Sequence, residues 1–200
     1  MAAAKMAKFA VEGLKLKRMA IIHDQMDYGR TGADVIEETL KNYGIKVLAR
    51  ESFRLGDKDF SGQLLKVRES GAEGVFVWGI YGEVARLMKQ AKELGIRFVL
   101  LASDAQAYPD YIKLAGPEVA EGTYSEVVWV ATDPDPAVQA FIRNYKARFG
   151  EEPDPGAALA YDTVHVLAKA IERAGGLDRT KIRDALRATA IRGHRVDRVR

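Results

Sequence analysis

Short apolar runs alternate with longer stretches of helical spacing over the first 130 residues. Met19-Ala20-Ile21-Ile22 is an apolar run of the length that suits a strand buried on both faces. Gly74-Val-Phe-Val-Trp-Gly79 is apolar throughout and predicts a central strand. Ile45–Glu51, Phe98–Ala102 and Gly122–Val130 complete five, with the strands expected at 19–23, 46–50, 75–79, 98–102 and 123–129. Between them lie helical patterns. Gly29 and Gly32, read as turn residues, lead into Ala33–Glu38, where Val35, Ile36 and Leu40 share one side. Phe60–Glu69, Glu83–Leu94 and a short Ala107–Ala115 follow, the last two stopped by Gly95 and by Gly116-Pro117. Asp57 or Asp59 is an expected N-cap of the helix after it. Strands alternating with helices predict right-handed crossovers and an open, mainly parallel α/β sheet flanked by helices.

The pattern changes after residue 130. Asp133-Pro-Asp-Pro136 and Gly150–Pro155 break the chain around a helix at Ala137–Phe149. A long helix at Ala157–Ala174 ends at Gly175-Gly176, and Asp178 opens a last one through Thr189. No strand separates these helices, which is unusual for a self-contained doubly wound domain. At the other end, Met6, Phe9, Ala10 and Leu14 keep helical spacing, with no uninterrupted apolar core of a secretory signal.

Composition narrows the field. A hydrophobic fraction of 48% over 200 residues fills a core, and no run approaches the ~20 apolar residues of a membrane span. The chain has no cysteine, which excludes disulfides, thiolate metal sites and a cysteine nucleophile. The net charge of +3 is matched by Arg192, Arg195, Arg198 and Arg200 against Asp197, so residues 192–200 read as a loose basic tail. The remainder is balanced, and no nucleic-acid partner is expected.

Several chemistries lack their residues. Tyr28-Gly-Arg-Thr-Gly32 after the first strand is neither GxGxxG nor a phosphate-cradling P-loop. Asp24 and Asp27 partly suit a phosphoacceptor receiver site, but Gly79-Ile80-Tyr81 supplies no acid after the third strand. His23, His165 and His194 are scattered, there is no HExxH, and there is no GxSxG elbow. His23 reads as a hydrogen-bonded loop residue. No metal, cofactor or catalytic residue is expected. What remains at strand ends is Tyr28, Ile80-Tyr81 and Ser103-Asp104. A small zwitterion needs a carboxylate for its ammonium and aromatic walls for an apolar side chain. Ordinary loop polarity accounts for the same residues equally well.

Beyond these residues, a set of segments resembles the branched-chain amino-acid (Leu/Ile/Val-type) substrate-binding proteins of ABC transporters, with the type I periplasmic-binding fold. They are Ala20–Asp24 with Asp27-Tyr-Gly-Arg30, Asp57–Lys66, Gly74–Gly79, Arg86–Gly95, Ala120-Glu-Gly122, Tyr145–Pro153 and Ala160-Tyr-Asp162. Their order and spacing carry the likeness, which reaches about Arg187.

The resemblance implies a five-stranded lobe of order 2-1-3-4-5, with additional carboxyl-terminal helices. It implies that 1–15 is the last helix of an absent first lobe and 16–130 the second, ligand-binding lobe. It makes 131–191 a helical segment that packs on the first lobe, with 192–200 as the tail. The chain therefore resembles a truncated protein. Tyr28 matches an aromatic that packs over the ligand, and Asp104 an acid that pairs with the ligand's α-ammonium. Ile80 stands where the family has an aromatic, with Tyr81 beside it. The implied function is the substrate-binding component of an importer for branched-chain or related amino acids or amide-like ligands, not an enzyme. Its partners are ABC permease subunits, and its place is periplasmic or extracellular. A cytoplasmic small-ligand sensor of the same fold is the alternative. The apolar faces of helices 137–174 lead us to expect a possible homo-oligomer.

Overall fold

In the computed structural model, which describes residues 2–188, a parallel sheet divides the apolar side chains of the first part of the chain between its two faces. The elements in order are α1 (Ala2–Glu12), β1 (Met19–Asp24), α2 (Asp27–Asn42), β2 (Arg50–Phe53), α3 (Ser61–Ser70), β3 (Gly74–Trp78), α4 (Tyr81–Glu93) and β4 (Val99–Ala102). A 3₁₀ turn (Asp104–Ala107), α5 (Pro109–Ala115), α6 (Pro117–Ala120), β5 (Tyr124–Ser125), α7 (Pro136–Phe149), α8 (Pro155–Ala174) and α9 (Arg179–Arg187) follow. All pairings are parallel and the order is β2-β1-β3-β4-β5, as the sequence predicts. The chain separates into two units, Met1–Glu126 and Val127–Arg200.

Successive side chains on a strand point to opposite faces. Ala20, Ile22, Val75, Val77, Leu100 and Ala102 therefore enter one cluster, with Leu64, Val67, Val84, Leu87 and Tyr111 of α3, α4 and α5. Met19, Ile21, Phe76, Trp78 and Leu101 enter the other, with Met6, Ala7 and Ala10 of α1 and Ala33, Ile36 and Leu40 of α2. Burial on both faces is why β1 and β3 read as unbroken apolar runs.

Several boundaries differ from the sequence reading. The second strand lies at Arg50–Phe53, beyond most of the apolar stretch at 45–49. It is an edge strand paired with β1 alone, so Arg50, Glu51 and Ser52 are accommodated there. Ile45 and Val47 still pack against the α2 side as an irregular segment. The fifth strand shrinks to Tyr124–Ser125, because it too has one neighbour, and Val127 and Val128 are left about two-fifths exposed at 41% and 39%. Helix α2 starts at Asp27 rather than Ala33, so Gly29 and Gly32 are helical and not turn residues. Helix α4 starts at Tyr81. His23 is a buried residue of β1, its Nδ1 2.6 Å from the Asp24 carbonyl oxygen. Asp57 caps a turn at Arg54, while Asp59 accepts the Ser61 amide at the start of α3.

In the second unit, Trp129, Val138, Phe141 and Ala158 form one small cluster, with Trp129 edge-on to Phe141. Among the described residues no helix is long and apolar enough to cross a membrane. Thr189 and the basic tail at 192–200 lie outside the described residues.

Candidate functional site

The winding of the sheet reverses between β1 and β3, since α2 covers one face and α3 and α4 the other. An open parallel sheet leaves a crevice at such a point, outside the carboxyl ends of its strands. Tyr28 and Asp104 come from that edge.

Helix α2 springs directly from β1, and this places Tyr28 in its first turn. Two glycines make the close seat possible. A Cβ at Gly29 would stand 2.4 Å from Asp24 Oδ1, and one at Gly32 only 2.2 Å from Trp78 Cδ1. Any side chain at either position would push the helix off the strand ends. With α2 seated, Trp78 backs Tyr28, their ring centroids 6.4 Å apart. The Tyr28 hydroxyl donates to Asp104 Oδ1 at 2.6 Å, while 44% of the residue stays exposed. Partial burial first, and then the bond to the Asp104 carboxylate, raise the phenol above its ordinary range.

Asp104 is fixed from beneath. The buried Ser103 hydroxyl donates to Gln106 Oε1 at 3.0 Å, and Gln106 Nε2 donates to the Gly79 carbonyl at 3.1 Å. Ser125 Oγ donates to the Ser103 carbonyl at 2.6 Å. These bonds tie the carboxyl ends of β3, β4 and β5 together around the 3₁₀ turn that begins with Asp104. Buried polar groups of this kind hold a loop only when they are satisfied, as these are.

The other two expected site residues part company. Ile80, at the end of β3, is 42% exposed at the same edge. Tyr81 opens α4 and packs against the cluster on the α3 and α4 face. In sequence, Asp24 shows only a partial fit to a phosphoacceptor site and Glu126 has no assigned role. Asp24 is 1% exposed, with Oδ1 accepting the Met26 amide at 2.8 Å and Oδ2 without a partner among the described residues. Glu126 directly follows β5, and its Oε2 is likewise buried and partnerless. Single acids carry no periodicity, so only the strand register reveals them. Among the described residues no group of three or more His, Asp or Glu is placed to hold a metal ion. The edge offers acceptors for a cation and an aromatic surface for an apolar group.

A family model described as periplasmic binding protein matches residues 1–199. The leucine-, isoleucine-, valine-, threonine- and alanine-binding protein of Pseudomonas aeruginosa is 33% identical over 181 residues, covering 90% of this chain and 48% of that protein. A leucine binding protein from Thermotoga maritima superposes with a TM-score of 0.87 at 34% identity, over 93% of this chain and 53% of its own. A branched-chain amino acid transporter substrate binding protein from Streptococcus pneumoniae, solved in complex with isoleucine, gives 0.85 at 28% identity, over 96% and 55%. The chain spans about half the length of the curated relatives it matches.

Proposed function

The chain belongs to the periplasmic binding protein family, and from that premise we propose that it carries one wall of a binding site for branched-chain or related amino acids. The reading is of a binding component that hands its ligand to an ABC permease in the cell envelope, with no chemical step of its own. It is supported by the 2.6 Å bond that brings Tyr28 to Asp104 across 76 residues of sequence, at the edge where this topology leaves a crevice. Asp104 takes the ligand's α-ammonium. Tyr28, backed by Trp78, packs over its apolar side chain, and Ile80 offers an aliphatic surface beside it.

Binding by this chain alone is weak. A partly exposed ion pair is worth about 0–1 kcal/mol and an aromatic contact about 1 kcal/mol. Micromolar affinity needs about 8 kcal/mol. Titration of the chain with L-leucine, followed by amide NMR, should give an affinity no tighter than about millimolar. The shifts should centre on Tyr28, Ile80 and the Ser103-Asp104 turn. Asp104→Asn should remove them. Leucine that moves none of these signals at tens of millimolar would overturn the reading. The homo-oligomer expected through helices 137–174 belongs to the same reading. A mass that rises with concentration in sedimentation would support it, and a monomer at tens of micromolar would end it.

A further inference from the structure

Three side-chain atoms among the described residues are buried without a hydrogen-bond partner, and two are carboxylate oxygens at the carboxyl edge of the sheet: Asp24 Oδ2 and Glu126 Oε2. A buried carboxylate oxygen left bare is costly, so native structures retain few of them. Asp24 is explained in part by its bond to the Met26 amide, which shapes the turn into α2. Glu126 Oε2 has no such partner among the described residues. Among the described residues, neither a helix start nor an ion pair within hydrogen-bond distance uses its carboxylate.

The register shows what Glu126 stands beside. Strands β4 and β5 pair Leu101 with Tyr124 and Ala102 with Ser125. One step further puts Glu126 level with Ser103, the residue before Asp104. Ser125 locks that register through its 2.6 Å bond to the Ser103 carbonyl. Helix α1 supplies Lys5, and α2 supplies Tyr28, as further ionisable groups that act on Glu126 or feel its charge, and the chain's amino group acts on it as well. Burial and then the negative charge of Asp104 raise the Glu126 carboxyl above its ordinary value, with Lys5 opposing. The edge thus holds two acids that feel each other's charge, opposed by Lys5 and by the chain's amino group. Tyr28 occupies Asp104 Oδ1, which leaves Oδ2 for another donor.

We propose that Glu126 is a second acceptor for the ligand's ammonium, so that the site selects a primary amine through two carboxylates rather than one. The inference rests on the proposed amino-acid site. An alkylammonium has three N–H donors set tetrahedrally, and a single carboxylate satisfies them poorly once water is displaced. Asp104 Oδ2 takes one, and the Glu126 carboxylate, once turned so that its buried Oε2 faces the ligand, a second. The incoming positive charge relieves the repulsion between the two acids.

The test uses the chain itself and three probes: L-leucine, leucinamide, which keeps the ammonium, and N-acetyl-L-leucine, which loses it. Carboxyl carbon NMR follows Asp104 and Glu126, and amide spectra confirm the fold of each variant. Leucine and leucinamide should move both carboxyl signals, and N-acetyl-leucine neither. Glu126→Gln should weaken leucine and leucinamide by about two- to fivefold, the scale of a partly exposed charge pair. Glu126→Asp, which keeps the charge on a shorter arm, should fall between. Three results overturn the inference. If amines move Asp104 alone and Glu126→Gln binds them unchanged, Glu126 is no acceptor while the proposed amino-acid site stands. If Glu126→Gln weakens N-acetyl-leucine as much as leucine, its effect is on the shape of the edge. If no probe moves either carboxyl at tens of millimolar, the amino-acid site falls with it.

Discussion

Helices begin differently in the two units. In the first unit the N-cap residues of α2, α3, α4, α5 and α6, Met26, Phe60, Ile80, Tyr108 and Gly116, make no side-chain capping hydrogen bond, and only α3 has an aspartate nearby, Asp59, that accepts a first-turn amide. In the second, the three helices among the described residues each start from an aspartate whose carboxylate accepts a first-turn amide. The bonds are Asp135 to Ala137, Asp154 to Ala157 and Asp178 to Lys181, at 2.8, 2.7 and 2.9 Å. Caps matter most where tertiary packing supplies least. The first unit packs its helices on both faces of a sheet. The second has four buried apolar residues in its cluster, while Val164 is 66% and Leu177 80% exposed. Its helices also bear a groove of about 520 Å³ lined by Phe141, Tyr145, Phe149 and Tyr161. Helices written with strong local ends and a wide apolar face hold their own shape and leave that face without a core of their own.

The contrast is broken or sharpened most strongly by truncation. Phe76 is fully buried in β3, and Phe76→Ala should cost about 3–5 kcal/mol in urea unfolding of the chain. Val164→Ala should change stability by no more than about 0.5 kcal/mol. Equal costs would mean that the α8 face is covered in solution and that the contrast is wrong. Next in size is Gly32→Ala. A methyl 2.2 Å from the Trp78 ring must displace it, and overpacking of this kind costs about 1–3 kcal/mol. Trp78 emission should shift with it. Gly62→Ala in α3 is the control, since nothing lies within 4 Å there, and it should stabilise by up to about 1 kcal/mol. Smaller again is Asp154→Ala, which removes the cap of α8 and should cost about 1 kcal/mol. Its loss should appear as faster amide exchange in α8 while β1 and β3 keep their protection. Exchange that speeds up equally in the sheet would show the two units unfolding as one.

These features were not equally legible in the sequence. The central strands were, because burial on both faces leaves an unbroken apolar run. The edge strands were not. Ile45 and Val47 pack as an irregular segment, Leu48 and Ala49 make single backbone bonds to β1, and the regular ladder falls on Arg50–Phe53. Val127 and Val128 have strand character and no strand partner among the described residues. Tyr28 and Asp104 were readable as strand-end residues, but not the hydrogen bond between them, which depends on where α2 starts. Gly29 looked like a turn glycine because sequence cannot distinguish a positive φ from a missing Cβ. Gln106, Ser125 and Glu126 act through register and burial, and nothing in their local pattern points to either.

The smallest effect concerns pH and confines itself to the first unit. The folded protein holds the Glu126 proton more tightly than the unfolded chain, whose carboxyl has the ordinary value of 4.5. Below that value both states are protonated, and the favourable contribution is fully present. As pH rises above it the unfolded state ionises first, so the unfolded state gains and stability falls. The loss stops growing once the folded carboxyl has ionised as well. Glu126→Gln cannot ionise, so it should remove this slope. Thermal unfolding should show the variant no different from the parent near pH 4 and modestly more stable near pH 7, in the direction opposite to its loss of amine binding. Asp104 is the main charge that works with burial to raise Glu126, so Asp104→Asn should flatten the same slope in part. A variant less stable at neutral pH than at acid pH, relative to the parent, would mean that the Glu126 carboxylate is stabilised in the fold. The edge would then hold a satisfied ion pair instead of two acids awaiting a cation.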